Sequence, residues 1–156
     1  MNNAPIKIRR YRTQDYQQVW DLHVLALKQT GAYIEDAEFD ADLQQIEAIY
    51  LNNDGEFLVA VQGERVVAMG AFRKTSNGVA EIKRMRTQPE MQGRGLGQLI
   101  LQELETKARQ AGYQALHLET SILQAAAQKL YLHNGFVETG HIMLRGLESI
   151  LFEKTL

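Results

Sequence analysis

The stretch Gln92-Gly93-Arg94-Gly95-Leu96-Gly97 has the residue types and spacing to hold an anion. Glycines at a helix start let backbone N–H groups close in on a phosphate, and the helix dipole favours negative charge at the same place. The stretch follows a strand-like run and opens an amphipathic helix, and Arg94 adds a cation between the glycines. It predicts a site for a phosphate-bearing small molecule. Two other readings stand beside this one. The first is a plain glycine-rich connection. The second is a dinucleotide loop, which would need a third glycine where Gln98 stands and a strand running straight into the first glycine, whereas residues 88–92 intervene.

The totals narrow the chemistry. The chain has 156 residues, 45% of them hydrophobic and 23% charged, which predicts one domain over 1–156. A formal net charge of −2 gives no support to nucleic-acid or membrane binding. No apolar run approaches a membrane span, and Met1–Pro5 lacks the apolar core of a leader, so a cytoplasmic location is expected. The absence of cysteine removes disulfides, thiolate metal sites and a cysteine acyl-enzyme. His23, His117, His133 and His141 are scattered, so no metal site is expected.

The elements that must position the loop follow from periodicity. Ile6–Tyr11 alternates as a strand. A helix runs from Thr13–Asp15 to about Lys28 and ends at Gly31. A second helix is expected over Ala41–Leu51. Glu56–Gln62 and Arg65–Arg73 form a strand pair about Gly63-Glu64, and Val79–Thr87 follows the turn at 75–78. The third helix starts in the glycine loop, carries the stripe Leu96, Leu99, Ile100, Leu104 and Ala108, and closes at Gly112. Strand Ala115–Thr120, helix Gln124–Asn134 and strands near Phe136–His141 and Ile150–Leu156 complete the chain. The fold class is α/β (α+β): a mixed, mostly antiparallel sheet of about seven strands with flanking helices. It contains one parallel, right-handed crossover from Val79–Thr87 through the third helix to Ala115–Thr120.

Gln92-x-x-Gly95-x-Gly97 resembles motif A of the GNAT superfamily of N-acetyltransferases. Met85–Gly93 resembles the lead-in to that motif, and Ala127–Phe136, with its Leu130-Tyr131 and Gly135-Phe136 pairs, resembles motif B. The specific similarity lies in residues 79–136. The N-terminal half matches in element order only.

The resemblance implies acetyl-CoA as co-substrate and direct transfer of an acetyl group to an amine in a ternary complex. In such folds the two parallel strands splay, and the pantetheine arm bonds to exposed backbone in the gap. The resemblance places Met85, Arg86 and Thr87 along that arm. It places Gln92, Gly93, Arg94, Gly95, Leu96, Gly97 and Gln98 around the diphosphate. Thr120, Gln124, Ala127, Leu130, Tyr131 and His133 line the remaining side. Gln124 stands where the family prefers Asn, and Thr87 where Val is usual. Tyr131 is the implied proton donor to the leaving thiolate, and its alternative is a helix tyrosine packed against Leu130 and Phe136. Glu81, in Ala80-Glu81-Ile82, is the implied base, and its alternative is a strand-end carboxylate paired with Lys83 or another cation, with a water chain to bulk solvent taking the proton instead. Glu119 and His117 are further candidates, with His117 read rather as a structural histidine. A non-catalytic acyl-CoA sensor of the same fold is the alternative function. A homodimer through the C-terminal strands is a further expectation that the family carries.

Strict alternation puts Glu81, Lys83, Met85 and Thr87 on one face of their strand and Ile82, Arg84 and Arg86 on the other. On the acceptor side, Glu35, Asp36, Glu38, Asp40 and Asp42 crowd one segment and read first as a solvated helix start. Arg73, Lys74, Lys83, Arg84 and Arg86 argue for a carboxylate on the acceptor. A small-molecule or peptide amine is the expected partner.

Overall fold

The computed structural model describes residues 3–156. The strands are β1 (Ile6–Arg10), β2 (Glu56–Gln62), β3 (Arg65–Ser76), β4 (Val79–Thr87), β5 (Ala115–Ser121), β6 (Val137–Leu144) and β7 (Leu147–Thr155). They form one sheet in the order β1-β2-β3-β4-β5-β7-β6. Every ladder is antiparallel except β4–β5, the parallel pair of the predicted crossover.

Among the described residues, three α-helices flank the sheet: α1 (Tyr16–Thr30), α2 (Leu96–Gln110) and α3 (Ala125–His133). Helix α1 packs its buried Val19, Leu22 and Ala26 with Phe57, Val59 and Met69 on one face. Helix α2 presses Leu96, Ile100, Leu104 and Ala108 onto Leu58, Phe72 and Ile82 on the other, and Tyr131 of α3 joins the same cluster. Leu99, expected in that stripe, is 49% exposed, and Leu101 takes its place in the core. The α/β class, the mixed sheet and the crossover are as the sequence predicts.

The fourth helical element differs from its expected form. Residues 41–51 are not one α-helix but a 3-10 turn, Ala41–Gln44, and a π-helical turn, Glu47–Leu51. The break sits at Gln45, with φ −140 and ψ 44. Tertiary ion pairs explain it: Asp40 and Asp42 turn inward instead of capping a helix. Arg84 Nε donates to Asp42 Oδ2 at 3.0 Å, Tyr50 Oη donates to the same oxygen at 2.5 Å, and His23 Nε2 bonds to Asp40 Oδ1 at 2.9 Å. Asp40 and Asp42 are therefore not part of a solvated helix start, while Glu35 and Glu38 of the same segment stay exposed.

This buried network has a measurable worth. Arg84 and its neighbours hold the Asp42 carboxyl down at about 2, despite its burial. That contribution is complete above the ordinary carboxylate range and is lost as pH falls toward 2. Asp42→Ala would leave the buried Arg84 cation with Asp40 alone as counter-charge, at 3.4 Å, and strand the Tyr50 hydroxyl, at a cost of about 3–5 kcal/mol. For a chain of this size, thermal unfolding should shift down on the order of 10 °C.

The C-terminal hairpin is longer than expected. Strands β6 and β7 turn at Arg145 (φ 52) and Gly146 (φ 83), a two-residue connection whose left-handed backbone matches strand twist. The turn brings Arg145 Nη1 to 2.7 Å from Asp36 Oδ2.

Candidate active site

The site is set by an irregularity in β4. Ala71 pairs with Lys83, yet Met69 pairs with Arg86, so β4 carries one extra residue opposite Gly70. Arg84 absorbs the bulge at φ 60, an unfavourable conformation for a side-chain-bearing residue, costing about 1–3 kcal/mol. The ion pairs of its guanidinium offset this. Gly70 is required on the opposite strand, because a Cβ there would collide with Met85 Sδ and meet Ile100 Cγ2 at 2.6 Å.

The bulge breaks the predicted alternation. Lys83 pairs with Ala71 and Arg86 with Met69, and both partners belong to the α1-side core. Met85 packs into the α2-side core, and Thr87 pairs with Ala68 of that core. Glu81, Lys83, Arg84 and Arg86 therefore share the α1 face, while Met85 and Thr87 turn to the other. The expectation that Glu81, Lys83, Met85 and Thr87 share one face is corrected by that one inserted residue.

Beyond Glu81, β4 and β5 part. Their pairing covers only Val79–Glu81 against Ala115–His117, while β5 stays paired to β7 through Ser121. The resulting cleft holds two cavities that meet within it. A cavity of about 420 Å³ lies toward α2 and α3. Another, of about 440 Å³, lies on the α1 side. Both are lined by Met85, Arg86, Gln124, Ala127 and Tyr131, which thus form the neck between them.

The α2-side cavity holds most of the residues predicted for a cofactor. Thr87, Gln92, Gly93, Gly95, Leu96, Gly97, Gln98 and Leu130 line it besides the neck. Gly93 (φ 78) and Gly95 (φ 80) are left-handed, which aims successive N–H groups into one concavity. The first backbone bond of α2 runs from Leu99 N–H to the Gly95 carbonyl, so the amides of 93–98 have no acceptor among the described residues. Gly97 lets α3 close in, since a Cβ there would meet Leu130 Cδ2 at 3.3 Å. Reciprocal bonds between the amides of Gln98 and Asn134, both 2.7 Å, tie α2 to the end of α3.

The side chains of three predicted residues lie elsewhere. Arg94 and His133 are exposed and line neither cavity, because the loop and helix turn them toward water. Thr120 lines the α1-side cavity, where its hydroxyl donates to Gln124 Oε1 at 3.1 Å. Other wall residues escaped sequence reading. Ala26, Gln29 and Thr30 of α1 reach the α2-side cavity, and Ile34, Phe39, Leu144 and Leu147 wall the other. No local signal marks them, since they converge from distant segments.

The neck and the α1-side cavity hold the titratable groups. Tyr131 is 4% exposed, packs edge-on to Phe136 at 5.6 Å between centroids, and its hydroxyl bonds to no described residue. Burial raises its pKa to about 12, although Arg86 pulls the other way. The phenol therefore keeps its proton at neutral pH. Glu81 is buried and accepts from Arg73 Nε at 2.9 Å, so Arg73 is the cation that pairs with this strand-end carboxylate. Glu119 opens into the cavity with no hydrogen bond or ion pair to a described residue, and its pKa is raised by burial and by the Glu81 charge. His117 Nε2 is hydrogen-bonded to Thr75 Oγ1 at 3.0 Å and lines neither cavity, consistent with a structural role.

Residues 16–136 match the Acetyltransferase (GNAT) family. The chain belongs to that family. It is 42% identical over 88 residues to an IAA acetyltransferase of Azospirillum brasilense, covering 56% of this chain and 58% of that protein. It is 25% identical over 138 residues to an aminoalkylphosphonate N-acetyltransferase of Salmonella typhimurium, covering 85% and 86%. The chain spans only about half the length of the first curated relatives it matches. Its fold superposes on a GNAT-family acetyltransferase from Staphylococcus aureus Mu50 with a TM-score of 0.90 at 20% identity, covering 97% and 99% of the chains. It also superposes on PaiA N-acetyltransferase from Thermoplasma acidophilum, solved with coenzyme A, with a TM-score of 0.76 at 19% identity, covering 97% and 99%.

Proposed function

We propose that this protein is an N-acetyltransferase that moves an acetyl group from acetyl-CoA to the primary amine of a small molecule. The observation that carries the reading is the meeting of the two cavities at Tyr131. One is walled by a run of free amides that suits a diphosphate, and the other by carboxylates that suit an amine. The cofactor supplies an acetyl thioester. The amides of Gly93–Gln98 hold its diphosphate, and the unpaired edge of β4 beyond Glu81 meets its amide-bearing arm.

The remaining work falls to side chains at the neck. A protonated amine is not nucleophilic, so Glu119 takes the amine proton. Its raised pKa strengthens it as a base, whereas the Glu81 carboxylate is already engaged by Arg73. Glu81 acts on Glu119 by its charge. Tyr131 Oη donates to the thioester sulfur as negative charge grows there. The names of two relatives, the aminoalkylphosphonate N-acetyltransferase and the N-acetylaspartate synthetase of Danio rerio, support an amine acceptor.

Release of coenzyme A thiol from acetyl-CoA across a panel of amines tests the reading. Tight acetyl-CoA binding with no thiol release from any amine would establish a sensor instead. A base must be deprotonated to act, so kcat/KM should fall as pH drops through the Glu119 pKa, which lies above the ordinary 4.5. Glu119→Gln should remove that acidic limb and lower the rate by about 100-fold or more. A limb unchanged in Glu119→Gln but lost in Glu81→Gln would assign the base to Glu81.

A further inference from the structure

Two cationic side chains of the α1-side cavity are left without an ion-pair partner among the described residues. Three of its five cationic side chains are spoken for: Arg73 by Glu81, Arg84 by Asp42 and Asp40, Arg145 by Asp36 and Glu38. Lys83 has no hydrogen bond or ion pair to a described residue. Among the described residues, Arg86 donates only from Nη1, to the Met85 carbonyl at 2.8 Å, and its buried Nε has no partner. Protein interiors rarely leave such a group uncompensated. Both side chains lie on the α1 face, as does Glu119, and all three line the same cavity.

We propose that Lys83 and Arg86 form a receptor for an anionic group on the acceptor, so that the substrate is a small amine bearing a carboxylate or an equivalent anion close to its nitrogen. The inference rests on the acetyltransferase reading and names its substrate class. The geometry fits one molecule with both charges. Arg86 sits at the neck beside Tyr131, so an anion held there brings the neighbouring amine to the junction where the thioester lies. Glu119, across the cleft on β5, receives the proton from that amine. Apolar walls from Ile34, Phe39, Leu144 and Leu147 accept an aliphatic or aromatic body. Burial lowers the Arg86 pKa to about 10 and also lowers that of Lys83, although the Glu81 charge pulls Lys83 the other way. A buried site built for an anion rejects the analogue lacking it, because its own charges are then left unpaired.

Matched acceptors test this: L-leucine against L-leucinamide, which keeps the amine and the apolar body but lacks the carboxylate. The kcat/KM for leucine should exceed that for leucinamide by about 100-fold. Lys83→Met and Arg86→Gln should each cut that ratio at least about tenfold, and Arg86→Lys should recover part of it. Calorimetric binding of N-acetyl-L-leucine should weaken by a similar factor in Lys83→Met, with coenzyme A affinity kept. Equal turnover of leucine and leucinamide by the native protein, or a ratio unchanged in both variants, overturns the anion receptor and leaves the acetyltransferase standing. Absence of thiol release with either acceptor or with any amine of the wider panel, although coenzyme A binds, overturns both.

Discussion

Gly95→Asp should abolish measurable coenzyme A binding while the protein stays folded. Gly95 stands at φ 80, just before the first residue of α2, with no atom within 4 Å of an added Cβ. Steric collision is therefore absent, and two separable costs remain. The left-handed backbone costs a side-chain-bearing residue roughly 1–2 kcal/mol, less for Asp than for most. The carboxylate then enters a concavity whose amides would hold a diphosphate. Two unit charges about 4 Å apart at an effective dielectric near 20 repel by about 4 kcal/mol, or roughly a thousandfold in affinity. Gly95→Ala isolates the backbone cost and should retain most of the affinity. Calorimetry with coenzyme A reads both variants, and circular dichroism checks the fold. Native-like affinity in a folded Gly95→Asp protein would move the diphosphate away from this loop.

Tyr131→Phe should lower kcat by about 100-fold and leave coenzyme A affinity close to native. The ring stays packed against Phe136 and Phe152, so neither the core nor the neck loses shape. Only the hydroxyl goes, and it makes no bond to a described residue that its loss could break. A stability change near zero combined with a large kinetic change is the signature of a proton held for the reaction. With a pKa of about 12 the phenol stays protonated through the neutral range, so its removal should scale the pH–rate profile without moving the limb assigned to Glu119. An unaltered rate in Tyr131→Phe would return this side chain to the core.

Much of the site was legible because its signals are local. A glycine at a left-handed helix start, as at Gly93 and Gly95, is needed by the backbone whatever packs around it. The stripe Leu96, Ile100, Leu104 and Ala108 obeys the helical period, and the crossover follows from strand, helix and strand in succession. Tyr131 was placed by its neighbours Leu130, Gly135 and Phe136 in one short motif.

What was not legible depends on partners far along the chain. The sequence determined the sheet, the crossover and the amide cradle, because each is written in consecutive residues with one period. Tertiary structure decided which side chains face the α1-side cavity. Alternation holds only while two strands advance in step, and β4 takes one extra residue at Arg84 to pass Gly70 beneath the Ile100 side of α2. That step turns Met85 and Thr87 toward one cavity and keeps Arg86 with Glu81 and Lys83 beside the other. Ion pairs between positions as distant as Asp42 and Arg84 then settle which charges are spent on stability and which remain for a ligand. A charge count along the chain records how many there are; only the folded distances say which of them are already matched.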